Sequence, residues 1–356
     1  RLLEGARLDD LLTEVPGVQV RRFGGAGERF EISIRGSRPE QVPVFLDGVR
    51  LDTSLTGRTD LSTVCLDALE EVQVTRGAGA ARSGTGAIGG VVNLVSRRAP
   101  AKPETRLRIG GGNFGTVEGS VRHARRQGPW SFSLAYCGFH TDGDFDYQSS
   151  RVITDGVPVG TASIETRENN ESDRHTFLGR VGRRFGRSEL RVTQLTSYLD
   201  RGTPGLETDL RSEAGEENLS LLTSVGLEHP LEKLPDGRLD LLLAHRFEGN
   251  DFEDPEPRTS ASEPIDTETR VHNWTGRSRI DTGFSALSGD HDISWVTEGR
   301  FDQRGSNEAR SESRAAVALR IESTSSWWQK RLQISPSLRF ERIGGFDVER
   351  IPGLFV

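Results

Sequence analysis

Long and short connections alternate between the strands of this sequence, and that pattern limits what the chain can fold into. From residue 104 onward the chain reads as strands of about ten residues in which apolar and polar side chains alternate, as in residues 331–340. The tight turns are 127–129, 185–187, 234–237 and 288–290, and the long polar loops lie near 141–173, 199–217 and 250–267. A compact soluble domain seldom contains repeated loops of about twenty residues, whereas an outer-membrane barrel has short turns at one rim and long loops at the other. The connections therefore favour a membrane barrel.

The chemistry of the bilayer agrees with this interpretation. Hydrocarbon offers no hydrogen-bond partners, so only helices and closed barrels satisfy every backbone group within it. No stretch approaches the about 20 consecutive apolar residues of a spanning helix. A soluble β-sandwich also alternates, but its turns come about every 8–12 residues, which is closer than here. We therefore predict an antiparallel transmembrane β-barrel over residues 104–356, with strands near 105–112, 116–126, 130–140, 174–184, 188–198, 218–229, 238–249, 268–280, 291–303, 311–324 and 329–342.

Three tryptophans lie where such a barrel would cross the membrane surface. Trp130, Trp327 and Trp328 stand beside predicted short turns, and aromatic side chains are enriched at membrane–water interfaces. Packing as ordinary aromatic residues at hairpin ends is the alternative.

The charge and cysteine content limit the partners and the crosslinks. The net charge of −7 argues against nucleic acid as the main partner. Cys65 and Cys137 form no CxxC motif and support neither a disulfide framework nor a zinc site. A single bridge between them is possible in an oxidising compartment, but two free, packed thiols are the interpretation we favour.

Residues 1–99 follow a different pattern, that of a small α+β domain. Leu8, Leu11, Leu12 and Val15 recur at helical spacing, and Pro16-Gly17 ends that helix. Short apolar strands are predicted at 30–34, 42–46, 69–74 and 90–95, with glycine-rich turns between them.

The motifs of this first domain carry a family resemblance. In order and spacing, the stretches 8–20, 32–36, 44–50 and 76–93 resemble the plug domain of TonB-dependent outer-membrane receptors. Two positions depart from the family pattern: Gln73 stands where a carboxylate is usual, and Ser83 replaces an aromatic residue. The resemblance implies a plug domain over residues 1–99, and a barrel that the plug fills over residues 104–356.

The resemblance also implies an activity. Such a receptor is a monomer in the outer membrane of a Gram-negative bacterium, surrounded by its lipid, and it is not an enzyme. It imports a scarce large nutrient, such as a ferric siderophore or cobalamin, with energy delivered by the TonB complex. Residues 46–51 and 60–62 are especially similar to cobalamin-receptor plugs. No cofactor is implied.

The number of strands indicates an incomplete barrel. About eleven predicted strands would leave an open edge in lipid, because single-chain bacterial barrels close with an even number. We therefore expect about half of a 22-stranded barrel, without the signal and energy-coupling segments. Two alternatives remain: a surface-exposed β-barrel adhesin or signalling protein, and a non-functional receptor fragment.

Two sets of residues are predicted to act in the receptor. By resemblance, two polar loops are apical plug loops that contact the ligand, although solvated loops are the alternative. Charged residues beside glycines at the ends of plug strands are predicted to contact the barrel wall, or else to form simple salt bridges within the plug. The ligand-binding set is Ser37, Arg38, Glu40, Gln41, Arg82, Ser83 and Thr85, and the plug–barrel set is Arg35, Asp47 and Arg76.

Two further motifs have weak functional interpretations. Gly84, Gly86 and Gly89 have the spacing of a dinucleotide-binding loop, but an extended segment follows where a helix is required. Asp142, Asp144 and Asp146 resemble the start of a calcium loop whose later positions do not match. We therefore predict neither a metal site nor a catalytic site.

Overall fold

In the part of the chain that the structure describes, the small N-terminal unit has one helix and six short strands. The structure, a computed structural model, describes residues 7–24, 29–52, 57–77, 86–149, 153–154, 157–158, 163–204, 213–255, 257, 263–328, 331–344 and 348–355. Among these residues no helix is long and apolar enough to cross a bilayer. The elements are α1 (Leu8–Thr13), β1 (Val18–Arg22), β2 (Phe30–Ile34), β3 (Val44–Leu46), β4 (Val49–Arg50), β5 (Leu69–Arg76) and β6 (Gly90–Ser96), with 3₁₀ turns at Pro39–Gln41, Leu61–Thr63 and Leu66–Ala68.

These strands form two small sheets around an apolar core. β1 and β2 pair antiparallel, with Val18 opposite Ile34. The second sheet has the order β4-β3-β6-β5, in which β3 and β6 are parallel. Leu12, Ile34 and Val92 are fully buried between the elements. β1 escaped prediction because its sequence Val-Gln-Val-Arg-Arg has only two apolar residues.

A single twelve-stranded antiparallel sheet follows. Its neighbouring strands are consecutive along the chain, apart from four short strands in the connection between β9 and β14. The twelve strands are β7 (Glu104–Gly111), β8 (Val117–Gln127), β9 (Trp130–Thr141), β14 (Ser172–Phe185), β15 (Ser188–Gly202), β16 (Gly215–Leu231), β17 (Gly237–Asp254), β18 (Ile265–Ala286), β19 (Gly289–Ser306), β20 (Glu312–Trp327), β21 (Leu332–Ile343) and β22 (Glu349–Phe355).

The structure corrects the predicted number of strands and one predicted loop. The sheet has twelve strands rather than about eleven, because β22 was missed: its Pro-Gly pair reads as a strand breaker. An odd count therefore no longer argues for an open edge. Among the described residues, however, β7 and β22 do not pair with each other, so the sheet is not closed. The predicted loop 141–173 holds two hairpins, formed by β10 (Phe145–Ser149) with β13 (Ser163–Arg167) and by β11 (Ile153–Thr154) with β12 (Val157–Pro158).

The two faces of the large sheet differ as the alternation predicts. In β16, Ser220, Leu222 and Ser224 are buried, whereas Leu219 and Val225, at odd-numbered positions, are exposed. The buried face, called the inner face below, packs against the N-terminal unit through Ala135, Leu178 and other side chains that join its apolar core. The outer face presents apolar residues to the surroundings.

Aromatic side chains mark both edges of the apolar outer band. Trp130 and Trp327 end their strands beside short turns, and Trp328 lies in such a turn with 70% of its surface exposed. Tyr136 and Trp274 are exposed nearer the other rim. We call the edge with the short turns the short-turn rim and the opposite edge the long-loop rim.

Candidate functional site

A large cavity lies at the long-loop rim, between the small unit and the ends of the sheet strands. Its volume is about 1160 Å³. The small unit contributes the connection from β1 to β2, and the sheet contributes the β7–β8 turn and the rim ends of β9, β15, β16 and β17. The lining residues are Phe23, Gly24, Arg29, Gly112, Asn113, Phe114, Thr116, Thr141, Gly143, Phe145, Tyr147, Arg167, Asn170, Arg201, Gly202, Thr203, Pro204, Glu216 and Phe252. We call this cavity the vestibule.

The vestibule is lined by aromatic rings, which proteins usually bury rather than expose to water. Phe114 packs edge-on against Phe145 with ring centroids 6.0 Å apart, and Phe145 lies 6.2 Å from Tyr147. Phe23 is 44% exposed on the opposite side of the cavity. Rings held in this way offer flat apolar surfaces to a bound molecule.

Arginines supply the charge of the vestibule. Among the described residues, three arginines and one carboxylate, that of Glu216, line it. Arg201 is held by Glu216 and lies 3.9 Å from Asp60 of the small unit. Arg29 pairs with Glu31 at 2.6 Å. Guanidinium groups in fixed positions favour carboxylate, phosphate or other planar anionic groups.

The first predicted ligand loop lies beside the end of β2 and is well ordered by its own contacts. The backbone N–H of Arg38 donates to the side chain of Gln41, while the exposed Arg38 guanidinium faces outward. Ser37 accepts a hydrogen bond from the backbone of Ile34. None of the predicted residues of this loop lines the vestibule.

Glu40 joins this loop to the segment after β4. Its carboxylate pairs with Arg58, which also reaches Glu31 at 3.2 Å. A hydrogen bond from its own backbone N–H, together with the Arg58 guanidinium, lowers the pKa of the Glu40 carboxyl against the opposing effect of burial. Glu40 is therefore a charged crosslink between two plug loops near Asp60. The remaining predicted ligand residues, Arg82, Ser83 and Thr85, lie outside the described residues.

Of the three residues predicted to contact the wall, Asp47 faces a wall side chain. Its carboxylate accepts hydrogen bonds from the backbone and hydroxyl of Ser96, and Arg180 of β14 lies 3.7 Å away. Arg180 also donates to the Ser96 hydroxyl at 2.9 Å. Arg76 donates to the carbonyl of Pro16, and Arg35 packs near Gly17 and Gly77, so their described contacts are within the small unit.

Several contacts between the small unit and the wall carry no local sequence signal. Thr176 donates to the carbonyl of Thr63 at 2.7 Å, and Asp67 accepts from Ser120 and pairs with Arg108. Arg277 donates to the carbonyl of Gly48. A Cβ atom on Gly48 would lie only 2.8 Å from that guanidinium, so a side chain does not fit there. These wall residues are inward polar positions in alternating strands, and only the folded arrangement shows which of them meet the small unit.

The two cysteines are bonded to each other, so the expectation of free thiols was wrong. Cys65 precedes the Leu66–Ala68 turn and Cys137 lies on the inner face of β9, with their Cα atoms 5.8 Å apart. The separation of 72 residues gave no hint of this proximity, because the small unit folds back onto the wall. The bridge joins the small unit covalently to the sheet.

The structure describes the surroundings of the glycine motif and of the three aspartates. Gly86 has a φ of +91°, and a Cβ on Gly89 would collide with Ser37; the strand β6 follows where a nucleotide site needs a helix. Among the described residues, Asp142, Asp144 and Asp146 included, no group of three or more histidine, cysteine, aspartate or glutamate side chains is arranged to hold a metal ion.

The comparisons with known proteins agree with this geometry. Residues 3–91 match the family model of the TonB-dependent receptor plug domain. The vitamin B12 transporter BtuB of Photobacterium profundum is 30% identical over 172 residues, which cover 44% of this chain and 28% of that protein. The chain thus spans less than a third of that curated relative.

Solved structures extend the likeness to the whole sheet. A substituted form of the ferric enterobactin receptor PfeA from Pseudomonas aeruginosa superposes with a TM-score of 0.76 at 17% identity, over 98% of this chain and 56% of that one. The siderophore receptor PirA from Acinetobacter baumannii gives 0.76 at 16% identity, over 97% and 55% of the two chains. These similar proteins are receptors and a transporter, and the likeness shows a shared fold, a plug-domain unit packed against a large antiparallel sheet.

Proposed function

We infer that this chain takes part in nutrient import across the outer membrane of a Gram-negative bacterium. It carries a TonB-dependent receptor plug domain against the inner face of a sheet that has the fold of such receptors' barrels. The imported nutrient is scarce and too large for general pores. The long-loop rim then faces the outside, because outer-membrane barrels have longer external loops.

The vestibule is the observation that carries this proposal. It opens at the long-loop rim, and Phe23, Gly24 and Arg29 of the plug line part of it. Its volume of about 1160 Å³ exceeds the upper range of typical drug-sized ligand pockets, which is about 1,000 Å³. A ligand held there touches the plug and the wall together, so that binding can be sensed by the plug.

The lining favours an anionic ligand that has aromatic or planar groups, such as a ferric siderophore. Among the described lining residues, five aromatic side chains provide stacking surfaces, and three arginines beside one glutamate provide positive charge. Cobalamin is the second candidate, because the similar transporter BtuB carries vitamin B12. Its many neutral amides make less use of the arginines.

A binding measurement separates the two candidates. The protein is expressed from its native gene, purified in detergent, and titrated by calorimetry with ferric enterobactin and with cyanocobalamin. We expect the ferric chelate to bind, and the Arg167→Gln variant to weaken binding about tenfold or more, since one charged hydrogen bond contributes about 1.5–3 kcal/mol. Arg310→Gln, in the loop after β19, is the matched control and should bind like wild type. Binding of cyanocobalamin alone supports the second candidate, and binding of neither probe contradicts the proposed ligand class.

Energy for import comes, in this proposal, from the TonB complex acting on the plug. The plug fold and its many separable polar contacts with the wall support this. Uptake of the bound probe by cells should stop when the proton-motive force is collapsed or the coupling protein is deleted, while binding at the surface continues. Undiminished uptake under both conditions would contradict energy coupling.

A further inference from the structure

The plug meets the wall through two unlike surfaces. We call the contact with β9 to β17 the anchored side and the contact with β18 to β21 the ionic side. The anchored side combines an apolar cluster and the disulfide bridge with polar contacts such as Arg180–Asp47. The ionic side is charged and contains a cavity.

On the anchored side, the apolar cores of plug and wall are continuous. Ala135, Leu178 and Leu222 of the wall are buried in the same cluster as the plug core. Ala244 of β17, 8% exposed, extends the cluster along the wall. The Cys65–Cys137 bridge lies within this contact and cannot part without a chemical reaction.

On the ionic side, a cavity of about 280 Å³ separates plug from wall. The plug contributes Phe45, Gly48, Arg50 and Gly86. The wall contributes three arginines and three carboxylates, among other residues, and Ala318 of β20. The charged wall residues are Glu298, Arg300, Asp302, Arg314, Arg339 and Glu341.

These wall charges pair with one another. Arg300 and Arg314 both reach Asp302, at 2.7 and 3.4 Å. Arg339 pairs with Glu341 at 3.1 Å and lies 3.7 Å from Glu298. When the plug moves away from this surface, these six wall charges keep one another as partners and gain water. Arg277 of β18 loses its hydrogen bond to the Gly48 carbonyl.

Separation on the anchored side has the opposite consequence. It exposes apolar surface from both partners to water, which is unfavourable in proportion to the area. It also requires reduction of the bridge. The two sides therefore differ greatly in how readily they part when the plug is pulled.

We propose that the Cys65–Cys137 bridge fixes the plug to β9 and that the ligand path opens on the ionic side, between Phe45–Arg50 and the charged surface of β19 to β21. The plug then never leaves the barrel as a body. This proposal rests on the import function inferred above and states which part of the plug–wall boundary opens during import.

Two matched alanines test where the boundary opens. Ala318 and Ala244 are both inward and buried, at 4% and 8% exposure, on the ionic and the anchored side. Each is replaced by cysteine in separate variants, Ala318→Cys and Ala244→Cys, and the rate of reaction with a small membrane-impermeant methanethiosulfonate is followed in energised cells. Peptide mapping without reductant verifies that Cys65 and Cys137 remain paired.

During import of ferric enterobactin, we expect labelling of the Ala318→Cys variant to rise about tenfold, as the open population rises by the same factor. Labelling of the Ala244→Cys variant should stay at its resting rate. Equal acceleration at both positions, acceleration at Ala244→Cys alone, or no acceleration at either while uptake proceeds would overturn the proposal.

Uptake with and without the bridge gives an independent test. The double variant Cys65→Ser with Cys137→Ser and the oxidised wild type should import the probe at rates within about twofold of each other, because the fixed side takes no part in opening. If uptake occurs only after the bridge is removed, the plug must leave as a body and the proposal is wrong. If no variant imports either probe, the result contradicts the proposed import function rather than the proposed place of opening.

Discussion

Arg180 is a wall side chain that joins the polar network of the plug. Its guanidinium donates to Ser96, whose hydroxyl is in turn bound by Asp47. Ser96 is only 1% exposed and ends the last plug strand. The three groups thus connect β14 to the point where the chain leaves the plug.

Replacing Arg180 by alanine should loosen the end of β6. Losing a charged hydrogen bond at a buried site costs about 1–3 kcal/mol, so amide hydrogen exchange across residues 90–96 should quicken about tenfold or more. The control is Arg184→Ala on the same face of the same strand, where the arginine is 60% exposed and its carboxylate partner lies 3.9 Å away. Equal exchange in both variants would show that Arg180 does not hold the plug.

Asp9 gives helix α1 a dependence on pH. Burial raises the pKa of this carboxyl, but the hydrogen bond from Arg22 and the charges of Arg7 and Arg22 together bring it below its ordinary value of 3.8. A carboxyl with a lowered folded-state pKa stabilises the fold above its unfolded pKa, and this contribution disappears as the pH falls through the folded value.

We therefore expect Asp9→Asn to destabilise the plug at pH 7, with the difference from wild type shrinking below about pH 4. Thermal unfolding of wild type and variant, at pH 7 and below about pH 4, measures this difference in stability. Asp10→Asn is the control, because Asp10 also meets Arg22 but its side chain is 57% exposed. A difference that is unchanged or larger in acid would refute the assignment.

At the scale of elements, alternation along the strands predicts the sheet well. The central strands from β14 to β20 appear close to their predicted positions, but several run longer at the long-loop rim. β17 continues to Asp254, although its predicted end is residue 249. A strand no longer shows alternating apolar and polar residues where both of its faces contact water. These extensions were therefore predicted as loops. β22 was hidden by Pro352 and Gly353.

The outer face of these strands should behave as a lipid-facing surface. Leu243, 68% exposed on the outer face of β17, lies within the apolar band. Leu243→Arg should lower the free energy of unfolding in lipid vesicles by about 2–4 kcal/mol, the effect of arginine near the bilayer midplane. Leu287→Arg is the control, in the short turn after β18 and 89% exposed. Comparable effects at both positions would argue against a bilayer around β17.

At the scale of the whole molecule, the long-range contacts were beyond sequence reasoning. Motifs identified the plug because its local patterns are short and contiguous. The bridge from Cys65 to Cys137, the vestibule aromatics and the partners of the inward arginines depend on how the plug sits against the wall. Phe23 and Phe252 are isolated phenylalanines in the sequence, and only the fold brings both to one cavity.

In the proposed import function, one chain admits a rare ligand and still holds a pore shut, and both tasks depend on the contact between the plug and the wall. The vestibule touches both parts at the long-loop rim, and polar and apolar contacts join the plug to the inner face. An importer of this kind needs a plug that is held firmly but opens on demand.

Ion conductance across a planar bilayer tests most directly whether the first hundred residues close a pore. The protein expressed from its native gene is compared with a variant that lacks residues 8–96. We expect the intact protein to hold conductance near the baseline and the deletion to give stable, open channels. Intact and deleted proteins with the same conductance would contradict the account.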